Sequence, residues 1–358
     1  MRLVLEPRPT HSWPAAVAAP IVAIALTLLA GGVLFALIGR DPVEALATYF
    51  FEPLTDAWAL QEIVVKATPL ALIALGLSLC FLSNNWNIGA EGQFVVGAIC
   101  GGGIAVAVQG TEAGGWVLPA MILAGMIGGA AYALLPAVLK VRFGASEILT
   151  SLMLVYIAEL LLDYLVRGPW RDPQGFNFPT TAPFEDAAIM PLLIEGSRVH
   201  WGAAVALVGA LVMTAMLGRT LSGFKIILVG QAPRAGRFAG FSDKRLVLTT
   251  FAVSGALAGL AGVMEVAGPI GQLQPDISPG YGFTAIIVAL LGRLHPIGIV
   301  AAALFLALTF IGGESAQITL KVPLDLTLVF QGILLFFVLA CDTLVVYRLR
   351  IVKRSTTS

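Results

Sequence analysis

The chain has 358 residues, of which 58% are hydrophobic and only 12% charged, with a mean hydropathy of +0.92 and a formal net charge of zero. A soluble domain carries about 25% charged residues, so this composition excludes a globular surface covered by water-facing groups. The zero balance also removes any overall electrostatic case for nucleic acid as a partner.

The charges collect at intervals between long uncharged runs, and a bilayer core needs about 20 apolar residues per helix. Taken in chain order, a short N-terminal segment (1–16) with Arg2 and Arg8 precedes a first span over 17–38, whose apolar run is too long for a cleavable signal peptide. Residues 39–62 form an acidic connection carrying Asp41, Glu44, Glu52, Asp56 and Glu62. Spans follow over 63–82 (with Lys66 inside it), 93–110, 117–139 and 146–166. A long connection, 167–200, opens with Pro169, Pro173, Pro179 and Pro183. Loops of this length are usually functional, so it reads as a docking platform for an outside partner or as a lid. Span 201–218 leads into a basic loop, 219–245, and spans 246–264, 278–292, 297–313 and 324–346 complete an all-α polytopic architecture of about ten crossings. The tail over 347–358 carries Arg348, Arg350, Lys353 and Arg354.

Lys and Arg stay in cytoplasmic loops. The two termini, the connection at Lys140 and Arg142 and the loop 219–245 then share the cytoplasmic side, with 167–200 opposite. Residues 17–346 form a single transmembrane domain on this reading. Segments 63–110 and 278–313 repeat one pattern, an apolar run, a short polar break and a second apolar run, which is the sequence pointer to a transport pathway. Gly125 and Gly129, then Gly255, Gly259 and Gly262, stand at the spacing that lets membrane helices approach closely. Cys80, Cys100 and Cys341 lie singly in apolar runs and read as packing residues.

Two stretches carry the candidate chemistry. In 83–93, three Asn, a Trp and a Glu interrupt continuous apolar sequence. A broken helix survives in the bilayer only where it is buried in protein or faces water. Asn84, Asn85, Trp86, Asn87, Glu91 and Gln93 are therefore the expected pathway residues of a broken or re-entrant hairpin; an ordinary cytoplasmic turn is the plain alternative. In 229–241, Pro233 suits the first turn of a short cationic helix and Gly240 its stop, with Phe238 and Phe241 as apolar anchors; attraction of the loop to anionic membrane lipid is the alternative. Glu159 and Asp163, one turn apart, are placed at the outer interface with Arg167 in reach, or in a proton relay. No phosphate loop and no metal-binding cluster occurs, and His11, His200 and His295 stand in separate places, so neither a metal nor a catalytic residue is expected.

Residues 85–93 (NWNIGAEGQ), 146–154 (SEILTSLML), 229–241 (VGQAPRAGRFAGF) and 280–292 (GYGFTAIIVALLG) resemble, in that order along the chain, the membrane permeases of bacterial ABC importers for simple sugars, branched-chain amino acids and nucleosides. The first two are most similar to the longer permease of the nucleoside subgroup. The resemblance implies a bacterial inner-membrane subunit that pairs with a second permease, takes its solute from a periplasmic or lipid-anchored binding protein, and binds no cofactor itself, ATP being used by a separate ATP-binding subunit. It further implies that Gln231, Pro233, Arg234, Arg237, Phe238, Gly240 and Phe241 contact that ATPase; Glu147 is added as a contact because it follows Lys140 and Arg142 at the cytoplasmic start of a helix, where its charge also suits the helix dipole. Nucleosides are the first substrate class, simple sugars and branched-chain amino acids the next, and an ion-coupled secondary transporter the rival class. Ala232, Gly236 and Val155 depart from the family pattern; Ala232 removes a helix-capping side chain.

Overall fold

The computed structural model describes residues 2–7, 13–111 and 114–352, with side chains over 18–111 and 114–341. Arg8, His11, Lys353 and Arg354 lie outside the described residues. The chain is almost entirely helical, as its composition predicts. Among the described residues, eight helices are long and apolar enough to cross a membrane. A two-stranded antiparallel ribbon pairs β1 (Arg2–Pro7) with β2 (Tyr347–Val352), with Arg2 opposite Val352. The pairing sets residues 2–7 beside residues 347–352.

Residues 1–57 with 308–358 form one compact unit and residues 58–307 another. In the first, α1 (Trp13–Leu37) and α14 (Leu326–Val346) are joined by α2 (Pro42–Phe50) and α3 (Glu52–Thr55). α2 starts where the sequence dictates: Asp41 accepts from the Val43 and Glu44 amides at 2.9 and 3.0 Å, and Pro42 occupies the first helical position. The core here is aromatic. Tyr49 stacks on Phe330 at 4.9 Å between centroids, Phe35 lies 5.7 Å from Phe330, and the Tyr49 hydroxyl meets Thr327 Oγ1 at 3.1 Å.

The second unit holds α4 (Ala57–Leu82), α5 (Ala90–Ala107), α6 (Val117–Phe143), α7 (Glu147–Arg167), α8 (Gly202–Arg219), α9 (Leu221–Gln231), α10 (Pro233–Phe238), α11 (Asp243–Glu265) and α12 (Tyr281–Leu291), and receives the start of α13 (Pro296–Leu320). Its centre is the packing of α5, α6 and α11. Added carbon on Gly97, Gly129 or Gly255 would collide with the facing backbone at Gly259, Gly255 or Gly129, and on Gly125 with the Val263 side chain. The glycine spacing expected to bring helices together does so here, as it must where no hydrophobic force distinguishes helix from lipid.

Three helices differ most from their predicted form. α13 runs seven residues past its expected end at 313, to Leu320. α4 starts six residues earlier than expected, enclosing Glu62 and Lys66 in one 26-residue helix. The predicted crossing 278–292 is an 11-residue helix, α12, only about 16 Å long. That is about half the hydrocarbon thickness. Pro275, Pro279 and the left-handed Gly280 (φ 90°) keep the approach to it extended, so this crossing is part extended chain and part helix.

Candidate functional site

α4 ends at Leu82; the Ser83, Asn84 and Asn85 amides still donate back into its last turn, and α5 begins only at Ala90. Asn84 makes the reversal in the left-handed region (φ 56°), which Asn tolerates better than most residues. Polar side chains then replace the missing helical partners. The Asn87 and Gln93 amides exchange two hydrogen bonds of 2.9 Å, Asn87 Nδ2 also donates to Ser254 Oγ at 3.1 Å, and Asn87 Oδ1 accepts from the Gly89 amide at 3.1 Å. The Ile88 amide donates to Ser151 Oγ at 3.2 Å. Asn85, Asn87 and Gln93 are 4%, 0% and 1% exposed, so they hold the break from within. Trp86 lies tilted against Phe81, with centroids 4.9 Å apart, and is part exposed.

Lys140 fastens the same break from outside. Its Nζ donates to Asn85 Oδ1 at 2.7 Å and to Glu147 Oε1 at 2.5 Å. Glu147, singled out in the sequence for its place at a helix start, thus joins α7 to α6 and the break. Ser146 caps α7, accepting from the Leu149 amide.

Glu91 is the one member of the predicted pathway set whose carboxylate crosses to another broken segment. It is 3% exposed and accepts from the Gly282 amide in the first turn of α12, with Ser278 and the Phe283 amide adding to the contact. Ser278 Oγ takes the neighbouring Gly280 and Tyr281 amides at 3.1 and 2.9 Å. The orphan amides of α12 are therefore shared between Ser278 on its own chain and Glu91 from α5, where a carboxylate also suits the positive end of the helix dipole. Gly282 has no side chain because one would strike the Glu91 backbone.

Beside this junction lies a cavity of about 400 Å³. Glu91, Glu159, Asp163 and Asp276 line it together with Tyr156 and Ser278, and no Lys, Arg or His does. Arg167 pairs with Asp163 at 2.6 Å, as its spacing suggested; Glu159 faces the cavity from the same helix. Gly92 packs on Val155 of α7, and the cavity's lining on that helix runs from Tyr156 near its middle to Asp163, one turn before Arg167. Tyr156, Asp276 and Ser278 were not singled out in the sequence. For Asp276 and Ser278 the signal was Gln274-Pro275-Asp276-Ile277-Ser278-Pro279-Gly280, two prolines and a glycine framing two polar residues just before an apolar run.

At the far end of the basic loop, α10 is the short helix that the sequence specifies. Pro233 is its first residue, Ala232 contributes no capping side chain, and Gly240 follows it in the left-handed region (φ 80°). Gln231, Arg234 and Arg237 are exposed, and Phe238 is 98% exposed. Arg237 lies 3.5 Å from Asp243. Phe241 instead turns inward against Phe224 and beneath the Lys225 ammonium, 5.2 Å from the ring centre. On the opposite end of the unit, 167–200 is tied down: the Thr181, Phe184 and Met190 amides donate to the Leu273, Gly271 and Ala267 carbonyls at 2.7–2.9 Å. His200, 3% exposed, accepts from the Gly202 amide at 3.1 Å, and burial pushes its imidazole down to about 4.

A family model described as "branched-chain amino acid transport system / permease component" matches residues 59–339. The glucose ABC transporter permease protein TsgB13 of Haloferax volcanii is 37% identical over 98% of this chain and 94% of its own length. The guanosine ABC transporter permease protein NupP of Bacillus subtilis is 29% identical over 89% of this chain and 92% of its own. The nucleoside ABC transporter permease protein NupB of Lactococcus lactis is 28% identical over 89% of each.

Proposed function

Since the chain belongs to the permease family of the branched-chain amino acid transport systems, we propose that it forms the solute pathway of an ATP-driven importer, carrying a neutral, polyhydroxylated solute. As an ABC transporter permease it works with an ATP-binding partner and a second permease. The observation that carries the pathway reading is the meeting of two broken crossings at Glu91. Irregular backbone persists at membrane depth only where it is buried or lines a water-filled space, and here it does both. The 400 Å³ cavity beside it is of a size to take a sugar or a nucleoside.

Four carboxylates in the lining accept hydrogen bonds from hydroxyl groups and repel anions. Glucose and nucleosides, the solutes in the relatives' names, are both neutral and rich in hydroxyls. The resemblance at 85–93 and 146–154 ranks nucleosides first, while the 37% identical relative is named for glucose; the two belong side by side in one assay. Phosphorylated forms of either should not pass.

The reading places 219–245 in the cytoplasm and 167–200 in the periplasm, with the chain in the bacterial inner membrane and a binding protein delivering solute to the outer face. Phe238, exposed on a six-residue helix flanked by Arg234 and Arg237, supplies the anchor for the ATPase. Interfaces concentrate their energy in such buried aromatics. Uptake of labelled guanosine and glucose by proteoliposomes holding the chain with its ATPase, second permease and binding protein tests this. ATP-dependent uptake of either solute, absent for guanosine monophosphate and glucose 6-phosphate, is the expected result.

A further inference from the structure

A buried group of ionisable side chains on the far side of α12 takes no part in lining the cavity. Glu62 and Lys66 stand one turn apart on α4, and Glu265 closes α11. Glu62 and Glu265 are each 7% exposed. Arg198, in the loop before α8, forms an ion pair with Glu62. Its backbone amide donates to Gln61 Oε1 at 2.9 Å, and its guanidinium lies over Trp58, 5.9 Å from the ring centre. The charges of Lys66 and Glu62 both act on Glu265.

The chain of contacts continues to the pathway. The Tyr281 hydroxyl points at Glu265 Oε1 across 3.4 Å, and its ring meets Phe94 edge-on with centroids 6.0 Å apart. Tyr281 is the first residue of α12 and is 2% exposed. The next residue, Gly282, supplies the amide that holds Glu91.

Buried ion pairs are a poor source of net stability, because the cost of desolvation offsets their attraction, and ionisable groups inside a membrane are rarely kept without a role. We infer that Glu265 and Tyr281 are positioning residues for Glu91: Glu265 fixes Tyr281, Tyr281 fixes the first turn of α12, and the cluster with Lys66, Glu62 and Arg198 ties that turn to the outer loop. The role in transport rests on the cavity being the solute pathway, whereas the positioning itself does not.

The two are separable by experiment. In the purified chain in nanodiscs, hydrogen exchange of the peptide covering 280–284 reports the Gly282 amide directly. Tyr281→Phe keeps the ring packing and removes the hydroxyl; it should speed exchange there about tenfold, and Glu265→Ala should do the same. Peptides from α5, α6 and α11 should be unchanged, and Glu265→Gln, which keeps an acceptor for the hydroxyl, should restore most of the protection. Exchange at 280–284 that Tyr281→Phe leaves unaltered, or that rises equally throughout the chain, overturns the inference. In the reconstituted complex the same Tyr281→Phe variant should raise the KM for solute several-fold, with maximal ATP turnover within twofold of wild type. Faster exchange with unaltered uptake would leave the positioning standing and remove Glu91 from the transport reading instead.

Discussion

Glu91 does two things at once: it closes the first turn of α12 and it lines the acidic cavity. Glutamine keeps an acceptor for the Gly282 amide but loses the charge that suits the helix dipole, and alanine loses both. A charge-assisted hydrogen bond is worth about 1.5–3 kcal/mol. Uptake should therefore fall at least tenfold for Glu91→Ala and less for Glu91→Gln, with both variants inserted and assembled; wild-type uptake by Glu91→Ala would reduce the residue to part of an ordinary turn. His200 gives a separate, pH-dependent expectation. Its folded value of about 4 lies below the roughly 6.5 of a free imidazole, so the unfolded chain takes up the proton first. The stability it contributes is complete above pH 6.5 and is lost as pH falls from 6.5 toward 4. Thermal melts of the wild type should show that loss, and His200→Asn, which can still accept from the Gly202 amide, should lose less. An identical pH profile in the two proteins would contradict the assignment. At this scale the sequence revealed Glu91 because a carboxylate in an apolar run stands out. It did not reveal that Asn87 and Gln93 bond to each other, since reciprocal side-chain pairing leaves no periodic trace.

At the scale of elements, the short helix α10 is where composition, turn chemistry and exposure agree most closely. Pro233 and Gly240 mark its ends in the sequence, and the structure puts Phe238 into the open between exposed Arg234 and Arg237. Truncating a buried interface aromatic commonly costs about 2 kcal/mol or more, a rim charge much less. Phe238→Ala should thus weaken co-purification with the ATP-binding subunit by roughly thirtyfold or uncouple ATP turnover from uptake, and Arg234→Ala alone should do so less. A loop that only touches anionic lipid gives the reverse order, because each basic residue there contributes about 1 kcal/mol. The long spans were legible because 20 apolar residues in a row leave few alternatives. α12 was less so. Hydropathy measures how apolar a stretch is and not where its helix starts; the prolines at 275 and 279 were the sign that helix begins only at Tyr281. Likewise α4 runs past Lys66 to Ala57, since a charged residue paired inside the protein does not end a helix.

For the molecule as a whole, the clustering of basic residues predicts that the two termini share a side. Cysteines introduced at Ser197 and Ser355 should label from opposite faces of right-side-out and inverted vesicles, and labelling of both from one face would refute the topology. The second break of the repeat read in the sequence, Gly292–Pro296, is not the one that Glu91 reaches: Glu91 meets the irregular run before α12, at Gly282. The substrate was the least legible feature, because the lining comes from α5, α7 and the extended run before α12, segments far apart in sequence that only the fold assembles. The central claim is that ATP used by a partner chain drives a neutral solute through this cavity. Uptake of guanosine and glucose by proteoliposomes holding the full complex, measured with ATP inside and no ion gradient, tests it most directly. The account predicts accumulation that stops when the partner's ATP hydrolysis is disabled and falls at least tenfold with Glu91→Ala. Uptake that ignores ATP and follows an imposed proton or sodium gradient would contradict it, and would turn Glu91, Glu159 and Asp163 into the ion-coupling groups of a secondary transporter.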